Sequence, residues 1–131
     1  MAQIVLTHDW NVRVAGIPAL AGAAIASKNA CVKRGANPGE FIQTAAANEA
    51  GRGFLQEDGA PALGDSVTVW FCGVVWAEGG AAIATDAALT TAAAGRVGTA
   101  ADTNSVVAFA LDSCAGAGEY FPVLIAISNH A

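Results

Sequence analysis

The chain has 131 residues, which predicts one domain or two small lobes that share a core. Its formal net charge of −5 excludes the basic surface by which nucleic-acid-binding proteins hold phosphates. Hydrophobic residues make up 54% of the chain and charged residues only 13%, about half the usual charged fraction of ~25%, so part of the surface is expected to contact a partner.

Residues 1–14 precede the repetitive part of the chain and contain two candidate strands, at 3–6 and 10–14. The second alternates with a period of two. These strands would form either the edge of the chain's own sheet or a strand lent to another chain, because an unpaired edge accepts such additions. The segment lacks the pattern of a signal peptide, and the weakly polar run 15–26 is too short to cross a bilayer.

The rest of the chain repeats itself. The pentad GAAIA begins at Gly22 and again at Gly80, 58 positions later. A strand, a turn and a strand follow each copy: ACVKR, GANPG and EFIQT after the first, and ALTT, AAAG and RVGT after the second. Glycine and proline favour the turns, and β-branched and aromatic residues favour the strands beside them.

A second strand pair follows in each half. RGFLQE, DGAPALGD and SVTVW stand in the first half, and SVVAFAL, DSCAGAGE and YFPVLIAI in the second. The pattern predicts a mainly β fold, a compact sandwich or barrel-like domain at 15–131 behind an extended arm at 1–14. Its two similar, hairpin-rich halves lie at about 22–71 and 80–127. Helices should be short at most, and TAAANEA, at 44–50, is the candidate for one.

Residues suited to catalysis are few. His8 and Asp9 are neighbours, which point to opposite faces of a strand, and His130 lies at the other end of the chain. No phosphate-binding loop or nucleophile elbow is present. We therefore predict no enzyme activity, no cofactor and no metal. Calcium binding stays the alternative to solvated loops for the acidic residues of the two long turns, which are Glu57, Asp58, Asp65, Asp112 and Glu119.

The cysteines and the aromatic residues lead to separate predictions. Three widely spaced cysteines, Cys31, Cys72 and Cys114, are expected to be small buried hydrophobes in a reducing compartment. The aromatic residues concentrate between the two halves, in VTVWFCGVVW. They would form either a buried seam or an interface between subunits, where large aromatic side chains contribute much of the affinity. The candidates for an oligomer interface are Trp70, Phe71 and Trp76.

Two stretches carry a family resemblance. AGAAIASKNACVKR with GEFIQTAAAN, and its echo from GGAAIATDAALTT to CAGAGEYFPVLI, resemble the capsid cement or head decoration proteins of tailed bacteriophages. The similar elements are the segment 80–89, the hairpin 95–97, the loop 107–119 and the strand 121–125. The resemblance covers about 22–127, and Phe109 stands where the family has mostly small residues.

The resemblance implies a β-rich homotrimer on the outer surface of an icosahedral virion head. Made in the host cytoplasm, it would bridge neighbouring major capsid proteins after the head expands, without binding nucleic acid or membrane. The alternatives are another virion or surface structural module, such as a tail, fibre or adhesin protein, or a small ligand-binding barrel or enzyme. The expected capsid contacts lie in the arm: Gln3, Ile4, Val5, Leu6 and Trp10.

Overall fold

The computed structural model describes residues 13–57, 60–101 and 104–128. Within these residues the fold is mainly β, as predicted, and no α-helix occurs, so none could cross a membrane. The strands are β1 (Arg13–Ala21), β2 (Cys31–Arg34), β3 (Glu40–Gln43), β4 (Gly53–Phe54), β5 (Ser66–Glu78), β6 (Ala88–Thr91), β7 (Val97–Thr99), β8 (Val106–Ala110) and β9 (Tyr120–Ser128), with a 3-10 turn at Ala93–Gly95.

The first five strands close into a barrel, in the order β1-β3-β2-β4-β5 with β1 also paired to β5. Leu20 and Ala21 of β1 pair in parallel with β3, and the remainder of β1 runs antiparallel to residues 66–73 of β5. Closure leaves few unpaired strand edges. We call this barrel the first half.

The second half repeats this arrangement with the rest of β5. Residues 74–78 of β5 pair with β9, and β8, β6 and β7 follow in order across the sheet. A parallel bridge between Gly79 and Val97 joins the two ends, at the place where Ala21 and Phe41 pair in parallel in the first half. The 13-residue strand β5 therefore belongs to both halves.

Hydrogen bonds in the loops repeat as well. Gly64 donates its N–H to the carbonyl of Ala21 at 2.8 Å, and Gly118 donates to that of Gly79 at 2.9 Å. Both donors have φ of +87°, a left-handed conformation that glycine adopts without steric cost. The sequence repeat thus corresponds to a repeated backbone. Further amides with equivalent acceptors are those of Gly22, Ile25 and Leu55 in one half and Gly80, Ile83 and Ala110 in the other.

Two cores lie inside the chain. The smaller fills the first half, where Ile25, Val32 and Leu55 are at most 2% exposed. The larger fills the second half and also takes in two fully buried residues of the first, Cys31 and Phe54. The larger core therefore joins the two halves through Cys31 and Phe54, and we expect the halves to unfold together.

The structure differs from two expectations. The sequence predicts a strand that ends at residue 14, whereas β1 runs on from Arg13 to Ala21. The small residues, Gly16 and Pro18 hide any alternation in this longer strand. Residues 44–50 form a turn, so the predicted helix is wrong. The carbonyl of Thr44 accepts a hydrogen bond from the Gly95 amide, and Asn48 has φ of +60°. These tertiary constraints outweigh the helix propensity of the alanines.

Candidate functional site

Carboxylates of the two long turns accept hydrogen bonds from nearby backbone amides, and Asp58 lies outside the described residues. Glu57 Oε2 accepts the amide of Thr68 at 2.9 Å, and Asp65 accepts that of Ala62 at the same distance. In the second half Glu119 accepts from Ala115 at 3.4 Å. No group of three or more potential metal ligands occurs among the residues that the structure describes. These contacts are those of loop-capping carboxylates.

A shallow depression of about 340 Å³ lies beside the first of these turns, lined by Glu57, Ala60, Pro61, Asp65 and Ser66. It opens widely to solvent, and both of its carboxylates accept the backbone hydrogen bonds just described. Ligand pockets enclose most of a bound molecule and bring several polar groups together on it. The depression has neither feature.

The cysteines differ from one another in exposure. Cys31 and Cys114 are buried, as predicted, whereas Cys72 is exposed, so the prediction is wrong for this residue. Cys72 lies where β5 passes from the first half to the second, and a register shift beside its partner Ala15 turns it outward. Burial raises the pKa of the Cys31 thiol to about 12, which keeps the thiol protonated and unreactive.

The three predicted interface aromatics occupy one stretch of β5. Trp70 is half-buried over Gly16, since a Cβ at that glycine would lie 2.7 Å from the Trp70 ring. Phe71 is 41% exposed. Trp76 is half-buried, and the Gln56 side-chain amide pairs with its backbone N–H and carbonyl at 3.0 and 2.9 Å. Their role between subunits stays a prediction. The predicted capsid contacts, Gln3, Ile4, Val5, Leu6 and Trp10, lie outside the described residues.

The outward surface of the second half is apolar across four strands. Phe109 of β8 and Leu124 of β9 are directly paired and 40% and 42% exposed. A solvent-facing side of an antiparallel sheet normally carries polar residues. We call this surface the apolar face. Phe109 and Leu124 form its exposed centre, Trp76 and Ala88 are half-buried, and Val74 and Pro122 are buried beside them.

Charged side chains surround the apolar face without entering it. At its rim Glu78 is 7% exposed and forms an ion pair with Arg96, whose Nε lies 2.9 Å from the carboxylate. Lys28 of the first half lies over the ring of Tyr120, 5.7 Å from its centroid. An uncharged sheet face with a polar rim is typical of a surface that binds another protein.

No known protein family matches the chain, and no curated protein matches it. Among solved structures, the fold is similar to that of the head fiber gp8.5 N base in bacteriophage phi29. The TM-score is 0.67 at 18% sequence identity, and the likeness covers 89% of this chain and 98% of that one. It shows that the two proteins share a fold.

Of the residues in the apolar face, the sequence indicates only Trp76 as a candidate for an interface. In the sequence, Phe109 differs from its surroundings only as a large residue at a position where the similar family has small ones. The repeat could have identified it, because its counterpart Phe54 is fully buried and an aromatic residue at the equivalent position of the second half also needs a partner. That comparison requires strand registers, which the sequence pattern does not supply.

Proposed function

We propose that this chain is a structural protein of a bacteriophage virion, bound to the outer surface of the head. There it stabilises the expanded capsid by bridging neighbouring major capsid proteins. The observation that supports this most is the fold shared with the phi29 head fiber base over nearly the full length of both chains. The sequence resemblance to head decoration proteins points to the same location.

The architecture suits a structural role. Two halves joined by a common core make a rigid unit, and the carboxylates of Glu57 and Asp65 are occupied by hydrogen bonds from backbone amides. A protein that works as part of an assembly also needs uncharged surface for contacts with other chains, which the apolar face offers. We therefore propose a binding protein without enzymatic activity, with the major capsid protein as its partner.

A homotrimer completes the proposal. Three linked copies contact the shell at several points, so weak single contacts combine into tight binding through effective concentration. Binding only to the expanded shell stabilises that state by mass action. We assign the capsid contacts to the arm, in residues 2–10, and assign no nucleic acid or membrane as a partner.

A second candidate is the base of a head fibre, without a cementing role. It is favoured by the name of the structural neighbour, which is a head fiber base. The two candidates differ in one measurable respect. A cement protein bridges neighbouring capsid proteins and raises the temperature at which emptied, expanded heads disassemble. A fibre base held by a single capsid protein binds assembled and released subunits equally well and leaves this temperature unchanged.

The direct test is co-sedimentation of the purified protein with emptied heads, expanded and unexpanded. We expect binding to expanded heads alone. Deleting residues 2–10 should abolish binding and leave the oligomer intact, whereas Leu63→Ser, in an exposed loop, should change neither. Absence of binding to any head would overturn the proposed function. Retained binding after the deletion would overturn only the assignment of the arm.

A further inference from the structure

The internal repeat places two rows of side chains in equivalent positions. In the first half, strand pairing connects β2, β4, β5 and β1 through one row. In the second half it connects β6, β8, β9 and β5 through another. The first row is Cys31, Phe54, Trp70 and Gly16. The second row is Ala88, Phe109, Leu124 and Val74.

The two rows differ in what covers them. Cys31 and Phe54 of the first row are fully buried, and Trp70 packs against the same core. In the second row Phe109 and Leu124, which stand in the places of Phe54 and Trp70, are 40% and 42% exposed. The first row is thus covered, whereas the two central residues of the second row are exposed beside Val74, which is 8% exposed.

The second half covers the first row. Val107 and Thr91 converge with Cys31 around Gly51, where an added Cβ would lie 2.9 to 3.1 Å from all three side chains. Thr91 also binds the first half directly: its hydroxyl donates to the carbonyl of Ala46 and accepts the amide of Glu49, both at 2.8 Å. One half therefore already serves as the cover for this kind of face.

Charge favours the same arrangement between copies. Five of the six Lys and Arg residues precede β5, and the one that follows it, Arg96, is ion-paired with Glu78. The segment after β5 has four acidic residues besides, at positions 86, 102, 112 and 119. The part of the chain before β5 also holds six acidic residues and is nearly neutral, whereas the part from β5 onward has five acidic residues against Arg96 alone. A contact between a first half and a second half therefore meets less like-charge repulsion than a contact between two second halves.

We infer that the apolar face binds the first half of a second copy of this chain. The contact is head to tail: the neighbour's first half covers the second row, as the chain's own second half covers the first row. A head-to-tail contact between different surfaces closes into a ring of three when each contact rotates the next copy by a third of a turn, whereas a contact between identical surfaces stops at two copies. The inference rests on the homotrimer of the proposed function and names the surface that builds it.

The test measures self-association by sedimentation equilibrium for the full chain and three variants. The double variant Phe109→Asp/Leu124→Asp should weaken association at least about 30-fold, as the loss of a hot spot does. Phe109→Thr/Leu124→Thr keeps β-forming residues and should weaken it in the same direction. Thr85→Asp, in an exposed turn of the second half outside the apolar face, is the matched control and should not change it. Circular dichroism verifies that each variant is folded.

Mixing separates the two geometries. In a head-to-tail contact the double Asp variant keeps its first half intact, so it should bind wild-type chains and cap them in mixed complexes. A mass of three 13.0 kDa chains for the wild type and mixed complexes with the variant support the inference. A monomeric wild type, unchanged association of both double variants, or the absence of mixed complexes overturns it. Head binding is measured separately, so its failure is distinguishable from failure of this interface.

Discussion

Phe54 is the side chain on which the joint between the halves depends most. It is fully buried in the shared core and pairs across the strands with Cys31 and Trp70. Replacing a buried phenylalanine by alanine costs about 3–5 kcal/mol, because transfer energy is lost and a cavity remains. For a domain of this size that corresponds to a fall in Tm of roughly 10–20 °C. We therefore expect Phe54→Ala to remove much of the stability of the chain.

Phe109→Ala is the matched control, since Phe109 occupies the equivalent place in the second half and is 40% exposed. We expect it to cost about 1 kcal/mol, from partial burial and no closed cavity. Both are measured by urea denaturation at concentrations where the chain is monomeric, with tryptophan fluorescence and circular dichroism as probes. The two probes should give one coincident transition. Equal losses of stability in the two variants would refute the buried joint.

Four further predictions concern individual residues. In Gly51→Ala the added Cβ crowds three neighbouring side chains, so the variant should lose about 1–3 kcal/mol of unfolding free energy. In Gly98→Ala the added Cβ has nothing within 4 Å, and the unfolding free energy should change by less than about 0.5 kcal/mol. Cys72 should react with Ellman's reagent in the native state and Cys31 only after unfolding. Burial raises the pKa of Cys31 from 9.0 to about 12, so between these pH values only the unfolded chain loses the thiol proton. The free energy of unfolding should therefore fall as pH rises through this interval. Urea titrations of Cys31→Ala should lack this dependence. Partial burial acts to raise the pKa of Glu49, but the hydrogen bond from the Ala45 amide and the ion pair with Lys33 lower this pKa overall. Glu49→Gln should therefore cost at most about 1 kcal/mol at neutral pH. In urea titrations this difference should shrink as pH falls below 4.5, the ordinary pKa of the group, and vanish once the folded protein is protonated at Glu49.

Local chemistry determined the hairpins of this protein. The turns at 35–39 and 92–96 contain the glycines that such loops require, and Gly39 and Gly95 have φ of +81° and +71°. The strands on either side, β2 with β3 and β6 with β7, pair as predicted. The repeat of GAAIA was also readable without coordinates, because duplicated segments preserve the spacing of their turn glycines.

Tertiary structure decided the rest. β1 carries Gly16 and Pro18 and has no local strand pattern; it is a strand because it pairs with β5, some fifty residues later. Residues 44–50 turn rather than form a helix because the second half binds them. Phe54 and Phe109 occupy matching positions of the repeat, yet one is buried and the other exposed. A sequence specifies which faces are apolar, but what covers each face depends on how the halves pack, and that follows only from contacts between residues distant along the chain.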